Sequence, residues 1–435
     1  MIAVGPTGAA PGVGDLPRPL WQQQPWYRWK ALLIAAWVTG ATITAGWTAW
    51  VFVKAPHGFV DLAVYRFGIR AWWYGGDLYG RLPATVAGHL PFVYPPVTAL
   101  LLGPLAVPSW SRAVALMLVL SVAAIGVVEY VTVRRVWPAG GRRGAALATA
   151  VALPLALALE PVWDTLWYGQ VNIVLMALVV LDCLTPAPRW PRGVLIGIAA
   201  AIKLTPAVFL LYFLLRKDFR SAARLALTAA ALTVLGFVVN WSGSLKYWFG
   251  SSGGARSVSG SAFFTNQTID GALARLSLPH VEQTLLWLVL SALVLAFGAI
   301  GIRRAQRLGD APLAMVVTAA CGLIVSPTSW SNHWVYVVPA LIVLAGYAVR
   351  GRHPGWILAV LLVALTFWSA PFLNLPNVHG AELHWTLLQQ FPGNAFTVLG
   401  VVLLVAFAAP DVPTTVSSLR AKLANRPALP RVPKR

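Results

Sequence analysis

ALLIAAWVTGATITAGWTAWVFV, residues 31–53, carries no charged side chain, and a run of this length crosses a bilayer as one helix. Eight residues beyond its end stands Asp61, in a chain with only 13 acidic residues among 435. Further apolar stretches follow at short intervals, 58% of the chain is apolar and the mean hydropathy is +0.71. The sequence therefore reads as an all-α polytopic membrane protein, and Asp61 as a carboxylate at a membrane face.

Charged residues make up 11% of the chain, too few to clothe a soluble globule of this length, so lipid must cover much of the surface. The net charge of +20 would elsewhere suggest a nucleic-acid partner. Here the arginines gather in short loops between apolar runs, as membrane topology demands, and no nucleic acid is implied. Cys183 and Cys321 both lie inside apolar runs, which argues against a disulfide framework and against a thiolate metal site. Residues 1–30 read as a disordered cytoplasmic arm, 31–410 as the transmembrane domain and 411–435 as a basic cytoplasmic tail.

Apolar segments fall at 31–53, 92–107, 113–133, 145–162, 171–184, 194–215, 225–241, 284–302, 312–326, 335–349, 356–372 and 396–409. Basic clusters mark the cytoplasmic side at Arg134 and Arg135, at Arg142 and Arg143, at Arg189 and Arg192, at Arg216 and Lys217, at Arg303 and Arg304, and at Arg350. Segment 194–215 is basic at both ends and is interrupted by Lys203-Leu204-Thr205-Pro206, where proline breaks a helix. It is expected to turn back as a broken, re-entrant pair. Segment 92–107, opened by Tyr94-Pro95-Pro96, is expected to be half-inserted, which leaves about ten crossings with both termini inside. Irregular backbone at membrane depth needs protein or a watery cavity around it, so both breaks point to a cavity.

That topology gathers the polar loops 54–91, 163–170, 242–283, 327–334 and 373–395 on the outer face. Among carboxylates there, Asp61 leads into an amphipathic stretch with Arg66, Arg70, Trp72, Trp73 and Tyr74, suited to the lipid interface. Its residues alone leave two readings open, a general base or a helix N-cap. Asp77, in Gly75-Gly76-Asp77-Leu78-Tyr79, reads as a turn residue. Gln170 and Asn172 set two amides at the mouth of a segment, able to hold sugar hydroxyls or to cap the helix that follows. Lys203 is an ammonium in an apolar stretch, costly unless paired, and suits a phosphate; snorkelling is the alternative. Asn266-Gln267-Thr268 and Ser326-Pro327-Thr328-Ser329-Trp330-Ser331-Asn332-His333-Trp334 form compact polar islands. In them Asn266 suits a sugar or a cap, Trp330 a sugar ring, and His333 a phosphate or a structural contact.

The strings Asp61-Leu62-Ala63-Val64-Tyr65, Tyr94-Pro95-Pro96, Gly169-Gln170-Val171-Asn172, Lys203-Leu204-Thr205-Pro206, Asn266-Gln267-Thr268 and Ser326-Pro327-Thr328-Ser329-Trp330 follow one another along the chain. In that order they resemble glycosyltransferase family 87 over about residues 55–335. The resemblance implies a GT-C-type fold with about 10–12 membrane segments and interfacial helices in the first outer loop. It implies a polyprenyl-phosphate-sugar-dependent hexosyltransferase in the plasma membrane, its site on the outer side. The activity implied is inverting α-1,2-mannosyl transfer from polyprenol-phosphate-mannose to a mannosylated phosphatidylinositol glycolipid, with neither cofactor nor metal. Asp61 is implied as catalytic base, Lys203, His333 and Arg66 as donor-phosphate ligands, and Tyr94, Gln170, Asn172, Asn266 and Trp330 as sugar or acceptor contacts. Where the family's pattern is expected to pair two histidines, this chain has Asn332-His333, so only His333 is carried over. Close alternatives are a lipomannan-branching mannosyltransferase and a decaprenyl-phosphate-dependent arabinofuranosyltransferase; a lipid or solute transporter is the alternative of another class.

Overall fold

The computed structural model describes residues 26–54, 58–250, 261–351 and 354–409. Most of the arm expected over residues 1–30, and the tail over 411–435, lie outside the described residues. Among those described there is no strand, only isolated bridges at Thr85–Gly88 and Asn266–Trp330. The helices, in chain order, are α1 Trp26–Lys54, α2 Val60–Trp73, α3 Pro96–Leu101, α4 Trp110–Val136, α5 Gly141–Ala156, α6 Glu160–Tyr168, α7 Asn172–Leu184, α8 Val194–Ile202 and α9 Phe209–Leu215. Then come α10 Phe219–Val239, α11 Trp241–Phe249, α12 Ile269–Ala274, α13 His280–Arg307, α14 Ala311–Val325, α15 Val337–Gly351, α16 Pro354–Ser369, α17 Leu387–Gly393 and α18 Ala395–Ala408.

Every apolar segment read from the sequence is helical in whole or part, but the helices differ in reach. Among the described residues four are long and apolar enough to cross a membrane: α4, α10, α13 and the stretch Ser331–Gly351 that includes α15. The number rises to six if each of two bent pairs is one span. Residues 138–156 and α6 form one pair, bent by 73°, and α17 and α18 the other, bent by 77°. Helices α7, α14 and α16 are shorter, 13 to 16 residues, or roughly 20 to 24 Å against about 30 Å of hydrocarbon.

Segment 194–215 breaks where the sequence places the break. Lys203 is extended at φ −147°, ψ 128°, and Pro206 lies in a 3-10 turn, Thr205–Val208. The carbonyl of Ile202, orphaned by the break, accepts a 2.9 Å bond from the Thr98 hydroxyl of α3. Gly193, at φ +100°, starts α8; a Cβ there would lie 2.2 Å from the Ser221 carbonyl in the first turn of α10. The end of α9 leads into Asp218, whose side chain caps the same α10 by accepting from the Ser221 amide at 3.1 Å. Both feet of the pair therefore stand beside the start of α10, and the chain turns back at Lys203-Leu204. Helix α3, only six residues long, packs against α8 and α10 and is too short to cross a bilayer by itself.

These turns sort the helix ends. Arg350 bonds the Val136 carbonyl, Tyr347 bonds Asp310 and Gln306 bonds the Tyr212 carbonyl, which gathers the ends carrying Arg134, Arg216, Arg304 and Arg350, while Lys203 gathers Asn172 at the start of α7 and His333 after α14. The polar islands of the sequence are thereby brought to a single end of the bundle.

Candidate functional site

Helix α2 opens with backbone that few sequences tolerate. Phe59, its N-cap residue, is left-handed at φ 53° and makes no side-chain cap. Asp61 is thus not the N-cap but a first-turn residue, where the helix dipole favours its negative charge. Its carboxylate turns toward the short turn between α6 and α7. Gly169, at φ +66°, ends α6 so close to α2 that a Cβ would stand 2.8 Å from that of Leu62. The Phe59 amide bonds the Trp167 carbonyl across the same seam at 3.1 Å. The approach sets Gln170 opposite Asp61.

The Gln170 side chain is buried and engaged at both its nitrogen and its oxygen. Its Nε2 donates to Asp61 Oδ2 at 2.5 Å, while its Oε1 accepts from the Tyr65 hydroxyl at 2.6 Å and the Tyr94 hydroxyl at 3.2 Å. A carboxylate only accepts, so the amide nitrogen must face Asp61, and the two phenols hold the other end. The Tyr65 and Tyr94 rings meet edge to face at 5.2 Å. Tyr65 lies one helical turn after Asp61 and so on the same face of α2.

A second cluster forms around Lys203. Its Nζ donates to Asn172 Oδ1 and to His333 Nε2, both at 2.8 Å, and lies 5.9 Å from the centre of the Tyr94 ring. With Lys203 as donor, His333 Nε2 accepts, and the other ring nitrogen, Nδ1, is a buried atom without a partner among the described residues. Asn172 Nδ2 and the Thr165 hydroxyl both bond the Asn332 carbonyl at 2.9 Å, which fixes the Ser331–Tyr336 turn against α6 and α7. Asn172, Lys203, Thr205, His333 and Tyr336 line a small cavity whose remaining lining is apolar. Leu323 and Tyr336 also line a largely apolar cavity between α14, α15, α16 and α18.

The structure thus brings Asp61, Tyr94, Gln170, Asn172, Lys203 and His333 together. The other three expected residues make separate contacts. Arg66 is buried and donates to the carbonyls of Leu105 and of Pro108, the latter at 2.8 Å, so its guanidinium is committed to the loop after α3. Burial, with Arg70 nearby, lowers its pKa. Asn266 is inaccessible; its amide donates to the Ser261 carbonyl at 2.8 Å and accepts from the Ser329 amide at 3.0 Å. Trp330, half-buried, pairs with Asn266 through the backbone bridge and meets the Phe263 ring edge-on at 6.1 Å. Sequence reasoning missed Tyr65, Thr165 and Asn332. Only Tyr65 carried a signal, its one-turn spacing from Asp61.

The model of glycosyltransferase family 87 matches residues 92–327, more than half of the chain. The chain belongs to that family. This membrane glycosyltransferase is 40% identical over 389 residues to a Mycolicibacterium smegmatis protein, covering 83% of this chain and 87% of the relative. It is 37% identical over 379 residues to one from Mycobacterium tuberculosis, covering 84% and 88%. Both relatives are polyprenol-phosphate-mannose-dependent alpha-(1-2)-phosphatidylinositol mannoside mannosyltransferases. A second Mycobacterium tuberculosis relative, 32% identical over 335 residues and covering 75% of each chain, acts on the phosphatidylinositol pentamannoside. The crystal structure of ArnT from Cupriavidus metallidurans with undecaprenyl phosphate matches 91% of this chain and 79% of that one at 14% identity and a TM-score of 0.33, too low to bear on the fold. Family membership makes the chain an enzyme and sets the transporter alternative aside.

Proposed function

We propose that this enzyme is an inverting α-1,2-mannosyltransferase that moves mannose from polyprenol-phosphate-mannose to a mannosylated phosphatidylinositol glycolipid on the outer face of the plasma membrane. The substrates are those of its relatives. The observation that carries the chemistry is one carboxylate, Asp61, held by Gln170 and facing a cluster of one ammonium and one imidazole, Lys203 and His333. An outward-facing site is supported by its position at the helix ends opposite the arginine clusters.

In this reading the acceptor 2-hydroxyl oxygen attacks C1 of the mannose while Asp61 takes its proton. The bond from C1 to the phosphate oxygen breaks, and its electron pair leaves with the polyprenyl phosphate. One displacement turns a β-linked donor into an α-linked product. Lys203 supplies a point charge to the departing phosphate, and the His333 Nδ1 proton a hydrogen bond. Asn172 keeps the ammonium in place, and Gln170 keeps the carboxylate turned toward the acceptor. The apolar cavity behind Leu323 and Tyr336 offers a place for the donor's hydrocarbon chain. Arg66 and Asn266 serve the framework in this reading, and Trp330 borders the acceptor side.

The test supplies purified enzyme in lipid with labelled polyprenol-phosphate-mannose and phosphatidylinositol mannosides, and determines the new linkage by NMR. An α-1,2 bond formed from a β donor supports the reading. A β product, or transfer from an arabinose donor alone, refutes it.

A further inference from the structure

The turn Gly75-Gly76-Asp77-Leu78-Tyr79 meets the candidate site through one hydroxyl. Tyr79 donates from its hydroxyl to the Tyr94 carbonyl at 2.6 Å. Tyr94 stands immediately before Pro95-Pro96, two residues with no N–H to give, at the point where the chain enters α3. The bond therefore fixes the backbone that carries the Tyr94 phenol, and that phenol is one of two holding the Gln170 amide against Asp61.

Tyr79 is itself held from three sides. Its amide donates to Asp77 Oδ1 at 3.1 Å, the side-chain turn expected from the sequence. Its ring meets Phe92 and Tyr247, each at 5.9 Å between centres. Tyr247 belongs to α11, whose neighbouring Lys246 pairs with Asp77 Oδ2 at 2.5 Å. Burial, with Tyr247 and Asp77 adding to it, pushes the Tyr79 phenol well above its ordinary range, so it stays a donor.

We propose that Tyr79 is a positioning residue for sugar transfer, acting through Tyr94 and Gln170 to fix the Asp61 carboxylate. The proposal rests on Asp61 being the base. Losing the hydroxyl while keeping the ring leaves the contacts with Phe92 and Tyr247 intact, so the effect belongs in catalysis rather than in substrate binding.

The experiment compares Tyr79→Phe, Tyr94→Phe, the double variant and Asp61→Asn in the lipid-reconstituted full chain. For Tyr79→Phe the expected result is a kcat about five-fold lower, the effect of one neutral hydrogen bond, with KM for both substrates within two-fold. The acid limb of kcat should move to higher pH by roughly half a pH unit, because a looser Gln170 stabilises the carboxylate less. In the Tyr94→Phe background the same change should cost less than two-fold. A kcat and pH profile like wild type, or a full five-fold loss on top of Tyr94→Phe, overturns the proposal while an inactive Asp61→Asn leaves the base assignment standing. An active Asp61→Asn overturns both.

Discussion

Gln170→Glu changes one atom of the side chain and reverses the logic of its contact with Asp61. In the native protein an amide nitrogen donates to Asp61 Oδ2 at 2.5 Å. The variant sets a second carboxyl there, with the two charge centres roughly 4 Å apart. At an effective dielectric of about 20 that repulsion amounts to about 4 kcal/mol, equivalent to roughly three pH units. The pair then shares one proton and titrates as a unit, with its second ionisation pushed up by about that amount. Asp61 would be a full carboxylate only at high pH, so kcat in the variant should be roughly ten-fold to a hundred-fold below wild type at pH 6 and should recover as pH rises toward 8. The stability effect runs the other way. A carboxyl pair raised in the folded state above its unfolded value supports folding below the unfolded pKa and loses that support as pH rises through the folded one. The variant's Tm should therefore fall relative to wild type between pH 5 and 8. The assay is a pH series of mannose transfer beside a pH series of melting. A variant profile parallel to wild type at every pH would refute the claim that Gln170 and Asp61 form one unit at the reacting centre.

Lys203→Gln keeps a bond to Asn172 but removes the charge, and should raise KM for the polyprenyl phosphate donor by roughly ten-fold to a hundred-fold, with a smaller effect on the acceptor, in initial-rate measurements. Gly169→Ala forces a side chain into left-handed backbone, with its Cβ 2.8 Å from that of Leu62; it should destabilise by about 1–3 kcal/mol and lower kcat, read by melting and transfer assays. Arg275→Ala removes a buried guanidinium that donates to the Ala262, Phe263 and Asn266 carbonyls and to Asn394 Oδ1. Burial pushes its pKa down to about 10, opposed by Glu382, so it is a cation at neutral pH, and its loss should cost about 3–5 kcal/mol and most of the folded yield, with Lys recovering part.

The sequence made the scaffold legible because lipid imposes a one-dimensional code: apolar runs mark helices, arginines mark one face, and a proline beside Lys203 marks the break. The code does not give the length of each helix: α7 and α14, enclosed by other helices, run only 13 and 15 residues. At the candidate site, Lys203, Gln170 and Asn172 stand out in sequence because polar groups are expensive where they sit. Arg66 and Asn266 look equally costly in sequence, but their donors and acceptors are satisfied by the protein's own backbone, over separations of 39 and 63 residues along the chain, which no local pattern displays. Tyr79 and Asn332 belong to the same class. Their roles exist only once the Tyr94 carbonyl and the α6–α7 turn arrive beside them.

Asp61→Asn tests the central claim most directly. The amide is the same size and still meets Gln170, but it cannot take a proton from the acceptor. Measured on folded, lipid-reconstituted protein with labelled polyprenol-phosphate-mannose, transfer to phosphatidylinositol mannosides should fall by at least about a thousand-fold while donor binding is retained. Transfer within a few-fold of wild type would contradict the account.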